Sequence, residues 1–283
     1  MARPTQILLI GFVYLFGALL AYASGVSIDS VVLLFGFLAL VPTSISIHYA
    51  NEYADYETDS LTVRTPFSGG SGALPGSGLP RKIALIGAWV ALFIGVVLAL
   101  AGWVLGLLTI HAVAILTVGA FFGWMYSLRP LALAWRGWGE LDNALLGGVL
   151  LPFYGFVVQS GRLEWWVLVA CLPFGAMAFI NLLATTWPDR EADAIVGKRT
   201  LATRWPVGRL RLIYWAVALS AFVLMLLMVG NILPLVVFWG SLLVLPVVVW
   251  GAVRYTRQRS PFPTVAAMVL MLGLQMVGWW SVV

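Results

Sequence analysis

Asn51, Asp55 and Asp59 stand four residues apart at the end of one long apolar run, and Asp189 and Asp193 repeat that interval at the end of another. Seven of the 11 acidic residues fall in these two short stretches: Glu52, Asp55, Glu57, Asp59, Asp189, Glu191 and Asp193. If the helix continues past residue 50, the i, i+4, i+8 spacing sets Asn51, Asp55 and Asp59 in one stripe, each about 40° around the axis from the last. Carboxylates one turn apart offer oxygens to a hard cation but are too few to enclose it. Mg2+ fills such a partial shell with waters and phosphate oxygens, so the pattern suits a Mg2+–diphosphate complex better than a closed protein cage. The first stretch alone is also what a solvated helix end looks like. A second acidic helix end with the same interval, on the same side of a membrane by helix parity, points instead to two stretches that share one ligand.

The elements that must position these residues are membrane spans. The chain has 283 residues, 62% of them hydrophobic and 10% charged, and a mean hydropathy of +1.00. Repeated apolar runs of about twenty residues exclude a soluble domain. Nine spans are predicted, at roughly 6–25, 31–50, 83–106, 108–127, 145–160, 166–187, 210–229, 233–252 and 262–283. The fifth is short and carries Gly147, Gly148, Pro152 and Gly155. Pro188 is expected to interrupt the chain ahead of Asp189 and tip the second stretch toward a central cavity. Asp55 and Asp189 lie about half a chain apart, which suggests one polytopic domain over 1–283 built from related halves, roughly 1–143 and 144–283.

Charge supports that count. With a cytoplasmic N-terminus, one side receives Arg3, Arg64, Arg81, Lys82, Arg129, Arg136, Arg190, Lys198, Arg199, Arg204, Arg209, Arg211, Arg254, Arg257 and Arg259. The other receives Arg162 alone. Such a split follows the positive-inside rule for a multi-pass protein of the cell membrane and puts both acidic stretches on the cytoplasmic face. The net charge of +5 then reflects topology and an anionic ligand, with no basic soluble domain for nucleic acid. The first apolar run is long for a secretory leader, and the lone Cys171 offers neither a disulfide nor a zinc framework. Ser68 to Gly78 is glycine-rich. It suits either a phosphate cradle of backbone N–H groups or a flexible connector over the cavity mouth. His48 precedes Asn51 by nearly one turn.

Three ordered motifs resemble the UbiA superfamily of intramembrane aromatic prenyltransferases. Asn51-x3-Asp55-x3-Asp59 matches its first aspartate stretch, and Trp187-Pro-Asp-Arg-Glu-Ala-Asp193 with the trailing Gly197-Lys-Arg-Thr-Leu201 resembles its second. Tyr126-Ser-Leu-Arg-Pro130 followed by Arg136-Gly-Trp-Gly-Glu140 is the third. One departure is Thr185 and Thr186, where many members carry another Asp or Asn. The resemblance implies a nine-helix all-α bundle with a central cavity open to the cytoplasmic side. It also implies transfer of a prenyl group from an isoprenyl diphosphate to an acceptor, with Mg2+ bridged by Asp55, Asp59, Asp189 and Asp193.

Cations must also meet the phosphate oxygens, and Arg64, Arg129, Lys198, Arg199 and Arg204, with Asn51, are the candidates by loop position. The departing allylic carbon becomes cation-like, and Tyr53, Phe67, Tyr126 and Trp187 are aromatic faces close in sequence to the motifs, with Tyr126 a candidate catalytic residue. Asp193 is a candidate base for the acceptor, although a metal-bound carboxylate is a poor one. The glycine-rich loop is most similar to enzymes that prenylate 1,4-dihydroxy-2-naphthoate in menaquinone synthesis. Other members of the superfamily prenylate 4-hydroxybenzoate, homogentisate, haem, chlorophyllide or a glycerol phosphate lipid. A transporter is the rival from another class, but its ionisable groups belong near the bilayer midplane, and here they sit at span ends. A CDP-alcohol phosphotransferase would need a Gly and Ala-Arg arrangement that is absent from this sequence.

Overall fold

The computed structural model describes residues 3–283 and is helical throughout, with an isolated bridge between Val229 and Leu233 as the only β pairing among them. Seven spans are single helices: α1 (Pro4–Ala23), α2 (Ser30–Ala54), α5 (Lys82–Val104), α6 (Ile110–Ser127), α9 (Trp165–Thr185), α12 (Val207–Met228) and α15 (Phe262–Trp280). An eighth, Gly139–Ser160, runs through α7 (Gly139–Leu145), a π-helical turn at Leu146–Leu150 and α8 (Leu151–Ser160). A ninth arises when α13 (Leu235–Leu242) and α14 (Leu245–Arg254) are taken together across a 43° bend. Pro246 stands in the first turn of α14, where its ring would clash with the carbonyl of Leu242 in a continuous helix. Short helices α3 (Tyr56–Leu61), α4 (Ala73–Ser77), α10 (Arg190–Ile195) and α11 (Leu201–Arg204) lie in the connections.

Two expected boundaries move, and both bear on the site. The second span reaches Ala54 rather than residue 50, so Asn51 and Glu52 are helical. The fifth begins at Gly139 rather than 145, which carries Glu140 and Asp142 into the span. Hydropathy placed the start too late because those two acids depress the local average. The acids are nevertheless buried, Glu140 with Leu201 N–H as a donor to its Oε1 at 3.2 Å.

Backbones approach closely where glycines allow it. α1 crosses α8 with Gly17 against the Pro152 carbonyl and Gly155 against that of Tyr14, and a side chain at either position would collide with main chain. The π-helical turn meets α9 through Gly148 and Gly175 in the same way. Around these crossings α2 packs on α5, α9 on α12, and α15 on α13, α14, α9 and α1. Contacts at the chain ends sort the spans by direction. Arg3 pairs with Glu52, Gly69 donates to Asp189 and Arg199 N–H donates to the Trp135 carbonyl, all at one end. Gln159 with Asp29, and His111 with Gly161, close the other end, where Arg162 lies.

Candidate active site

The two acidic stretches are brought to one place by matching breaks. α2 stops at Asp55, whose φ of −93° and ψ of 10° leave the helix, and six-residue α3 follows. The hydrogen bonds from Asp55 N–H to the Asn51 carbonyl and from Asp59 N–H to the Asp55 carbonyl, 2.8 Å each, carry the turn across, so the stripe survives the break. α9 ends at Thr185 ahead of Pro188, and six-residue α10 presents Asp193 after Asp189. α3 and α10 pack together. Asn51, Asp55, Asp59, Asp189, Asp193, Tyr126 and Lys198 all line a single cavity of about 420 Å³.

Lys198 is the hub. Its Nζ lies 2.8 Å from Asp55 Oδ2 and 3.7 Å from Asp193 Oδ1, with 11% of its side chain exposed. Burial alone would lower its pKa, but the Asp55 and Asp193 charges outweigh burial and raise it, so it stays protonated. Asn51 Nδ2 donates to Asp55 Oδ2 at 3.0 Å and to Ser127 Oγ at 3.1 Å. Gly69 N–H donates to Asp189 Oδ2 at 3.2 Å. Gly69 and Gly70 hold φ of +75° and +65°, left-handed values that suit glycine, and Gly70 sits so close to the Asp59 carboxylate that a Cβ would overlap it. The glycine-rich loop therefore touches both stretches. It is anchored by Glu52, whose two oxygens accept from Ser71 N–H at 2.7 Å and Ser71 Oγ at 2.6 Å while Arg3 pairs with it at 3.2 Å.

The acids are over-concentrated for one lysine. Burial, followed by repulsion from Asp55 and Glu52, pushes Asp59 up to about 7. Burial pushes Asp193 up to about 7 and Asp189 up to about 6, partly opposed by Lys198 in both and by the Gly69 N–H at Asp189. Asp55 Oδ1, Asp189 Oδ1 and Asp193 Oδ1 are buried with no hydrogen-bond donor. Among the described residues no three His, Cys, Asp or Glu side chains close on one point as a self-sufficient metal cage would. Orphaned carboxylate oxygens on a cavity wall do fit a cation whose shell is completed by a ligand's phosphate oxygens.

Of the other expected residues, Arg64, Arg129, Arg199 and Arg204 are exposed and stand outside the cavity lining. Arg64 lies beneath the loop against Gly72, and Arg204 donates to the Arg136 carbonyl at 3.2 Å. Phe67 and His48 line the cavity, while Tyr53 and Trp187 do not. Sequence reasoning missed Arg3, Asp142, Asn143 and Asn181, all on the wall. Asp142 and Asn143 were within reach, since they share a face with Gly139, Leu146 and Gly147 once the fifth span is started at Gly139. Away from the acids the cavity turns apolar, with Leu9, Ile10, Val13, Leu40, Ile115, Leu116, Leu150 and Leu151.

Comparison with known proteins agrees with this architecture. The 1,4-dihydroxy-2-naphthoate octaprenyltransferase of Mycobacterium tuberculosis is 33% identical over 193 residues, which are 64% of this chain and 62% of that protein. The chain thus spans somewhat under two thirds of that relative. The protein of the same name from Mycobacterium leprae is 27% identical over 254 residues, 87% of this chain and 81% of the relative. Among solved structures, an apo UbiA homolog from Aeropyrum pernix K1 superposes with a TM-score of 0.73 at 16% identity, covering 100% of this chain and 98% of that one. A UbiA homolog from Archaeoglobus fulgidus bound to GPP and Mg2+ gives 0.67 at 15% identity, covering 98% and 96%. The model of the UbiA prenyltransferase family matches residues 10–280, nearly the whole chain, and the protein belongs to that family.

Proposed function

We propose that this protein transfers the isoprenyl group of an isoprenyl diphosphate to a hydroxylated aromatic acceptor, with Mg2+ as cofactor, in the synthesis of an isoprenoid quinone such as menaquinone. The observation that carries this reading is the cavity itself. Two acidic stretches meet on its wall, and the same cavity carries a large apolar lining, so it offers both the polarity that a diphosphate needs and the apolar surface that a hydrocarbon tail needs. The names of the curated relatives supply the acceptor class, 1,4-dihydroxy-2-naphthoate. The predominance of basic residues at the acidic end supports a cytoplasmic face for it, in the cell membrane.

Asp55, Asp59, Asp189 and Asp193 would hold the metal, and in Asp55, Asp189 and Asp193 one buried oxygen each is left without a protein donor. When bound, Mg2+ supplies Lewis-acid stabilisation of the negative charge that grows on the leaving diphosphate. The remaining work belongs to the chain. Lys198 is a buried, protonated cation held between Asp55 and Asp193, placed to add a charge-assisted hydrogen bond to a diphosphate oxygen. Gly69 and Gly70 put backbone N–H groups at the same end, and their lack of a side chain lets the loop sit directly on the acids. Tyr126 presents its ring to the cavity beside Lys198, where its face stabilises positive charge on the allylic carbon. The aliphatic wall keeps water from that carbon, so the aromatic ring captures it.

The test is direct. Purified protein in lipid nanodiscs is incubated with Mg2+, geranylgeranyl diphosphate and a panel of aromatic acids that includes 1,4-dihydroxy-2-naphthoate, and products are identified by mass. A prenylated naphthoquinol that disappears with EDTA is expected. No product from any acceptor, or transfer indifferent to EDTA, would contradict the proposal.

A further inference from the structure

One carboxylate on the cavity wall belongs to neither aspartate stretch. Asp142 lies in α7, inside the membrane-spanning segment, and is only 8% exposed. Its buried Oδ2 meets no donor, and among the described residues no Lys, Arg or His forms an ion pair with it. An ionisable group within a span is costly, and one left unpartnered on a cavity wall points to a ligand. Two amides line the same cavity: Asn143 is next on α7, and Asn181 comes from α9, which packs against α7. Asn181 Oδ1 is also buried without a donor.

These groups select the ligand's chemistry. An unpaired carboxylate repels phosphate and carboxylate groups, which excludes the anionic ends of both substrates. It accepts from a hydroxyl, and an amide can both accept from and donate to the same group. Asp55 and Asp193 are already engaged by Lys198, and Asp189 by the loop, whereas Asp142 is free to take a proton. Asp193, the base expected from sequence, is therefore less suited than Asp142.

We propose that Asp142, Asn143 and Asn181 form the subsite for the hydroxyl of the aromatic acceptor, and that Asp142 takes its proton as the ring attacks. The inference rests on the prenyl-transfer reading above. The acceptor O–H bond breaks and its proton passes to an Asp142 oxygen. The released electron pair moves through the ring to form the bond to the allylic carbon, and the carbon–oxygen bond to diphosphate breaks with its pair leaving on diphosphate. The attacked ring carbon then gives up its proton to the released diphosphate, or its carboxylate as CO2, and the returning electrons draw the proton back from Asp142 to restore the hydroxyl.

Two readouts test this in nanodisc-embedded protein. In the first, 1-naphthol is bound at pH 7 without donor. Its absorption should shift to the red, toward that of naphtholate, with the wild type and Asp142→Glu but not with the near-isosteric Asp142→Asn. In the second, Asp142→Asn should transfer about 100-fold more slowly at pH 7 with donor KM unchanged, the deficit shrinking as pH rises toward ionisation of the acceptor itself. Unchanged donor KM also shows that the variant is folded. Asn181→Leu should raise acceptor KM alone. Identical naphthol spectra for wild type and Asp142→Asn, or a deficit constant with pH, would overturn the assignment. A wild type that shifts the naphthol spectrum but prenylates no hydroxyarene would remove the transferase reading and leave the hydroxyl subsite standing.

Discussion

At the scale of single residues, the site is an excess of buried negative charge held by one lysine. Replacing it, as Lys198→Met, leaves Asp55 and Asp193 without their cation. Breaking a buried pair from one side costs about 3 kcal/mol, so the variant should unfold at a lower temperature than wild type, and added Mg2+ should recover part of the loss. Equal melting of the two proteins would mean that Lys198 does not hold the acids. The crowding also sets a pH dependence. Asp59, Asp189 and Asp193 are pushed up to about 7, 6 and 7, chiefly by burial, from an unfolded value near 3.8. Folding therefore takes up protons, and this contribution to stability is fully present below the unfolded value and lost as pH rises through 6 to 7. The metal-free protein should melt at a lower temperature at pH 8 than at pH 5.5, with Mg2+ stabilising it most at pH 8. A melting temperature that does not fall between those pH values would contradict the shifts. The acids were legible in the sequence because their interval matches the helical turn. The arginine candidates were less so, since closeness along the chain to a motif does not fix where a side chain points, and Arg64, Arg129, Arg199 and Arg204 are exposed and stand outside the cavity lining.

At the scale of elements, the same device appears twice: a long span, a break at or just before an aspartate, and a six-residue helix carrying the next one. The loop between α3 and α5 bridges the two copies through Gly69 and Gly70, and Glu52 fixes it through Ser71. Because Glu52 does not itself line the cavity, Glu52→Gln should act by freeing the loop. It should raise donor KM about tenfold, the cost of one weakened charge-assisted contact, and expose residues 62–72 to limited proteolysis. Donor KM unchanged alongside an intact loop would show that the anchor is dispensable. Pro188 announced the second break, and the glycines announced the loop. The Arg3–Glu52–Ser71 link had no signal, because its members lie 49 and 19 residues apart and only the packing of α1 beside α2 joins them. The fifth span was misplaced for a related reason. Its acids look like loop residues to hydropathy, while tertiary packing buries them.

At the scale of the whole molecule, charge and topology make one statement. Basic residues gather at the acidic end, and Arg162 stands alone at the other. The only cysteine, Cys171, is buried and gives no background to thiol reagents. An impermeant maleimide should therefore label Ser77→Cys from the cytoplasmic face and Arg162→Cys from the opposite one; labelling of both from one face would break the span count. The nine-span architecture was legible because hydropathy and charge bias are whole-chain properties. The cavity wall was less so, since it is assembled from spans far apart in sequence. The central claim is that the two acidic stretches grip a single ligand. Its most direct test is Mg2+-dependent binding of a non-reacting prenyl thiodiphosphate to wild type, Asp55→Asn, Asp189→Asn and the double variant, measured by calorimetry. Each single variant should lose about 100-fold in affinity, and the double variant should lose less than the product of the two, because the contacts share one ligand. Wild-type affinity in either single variant, or losses that multiply as for independent sites, would contradict it.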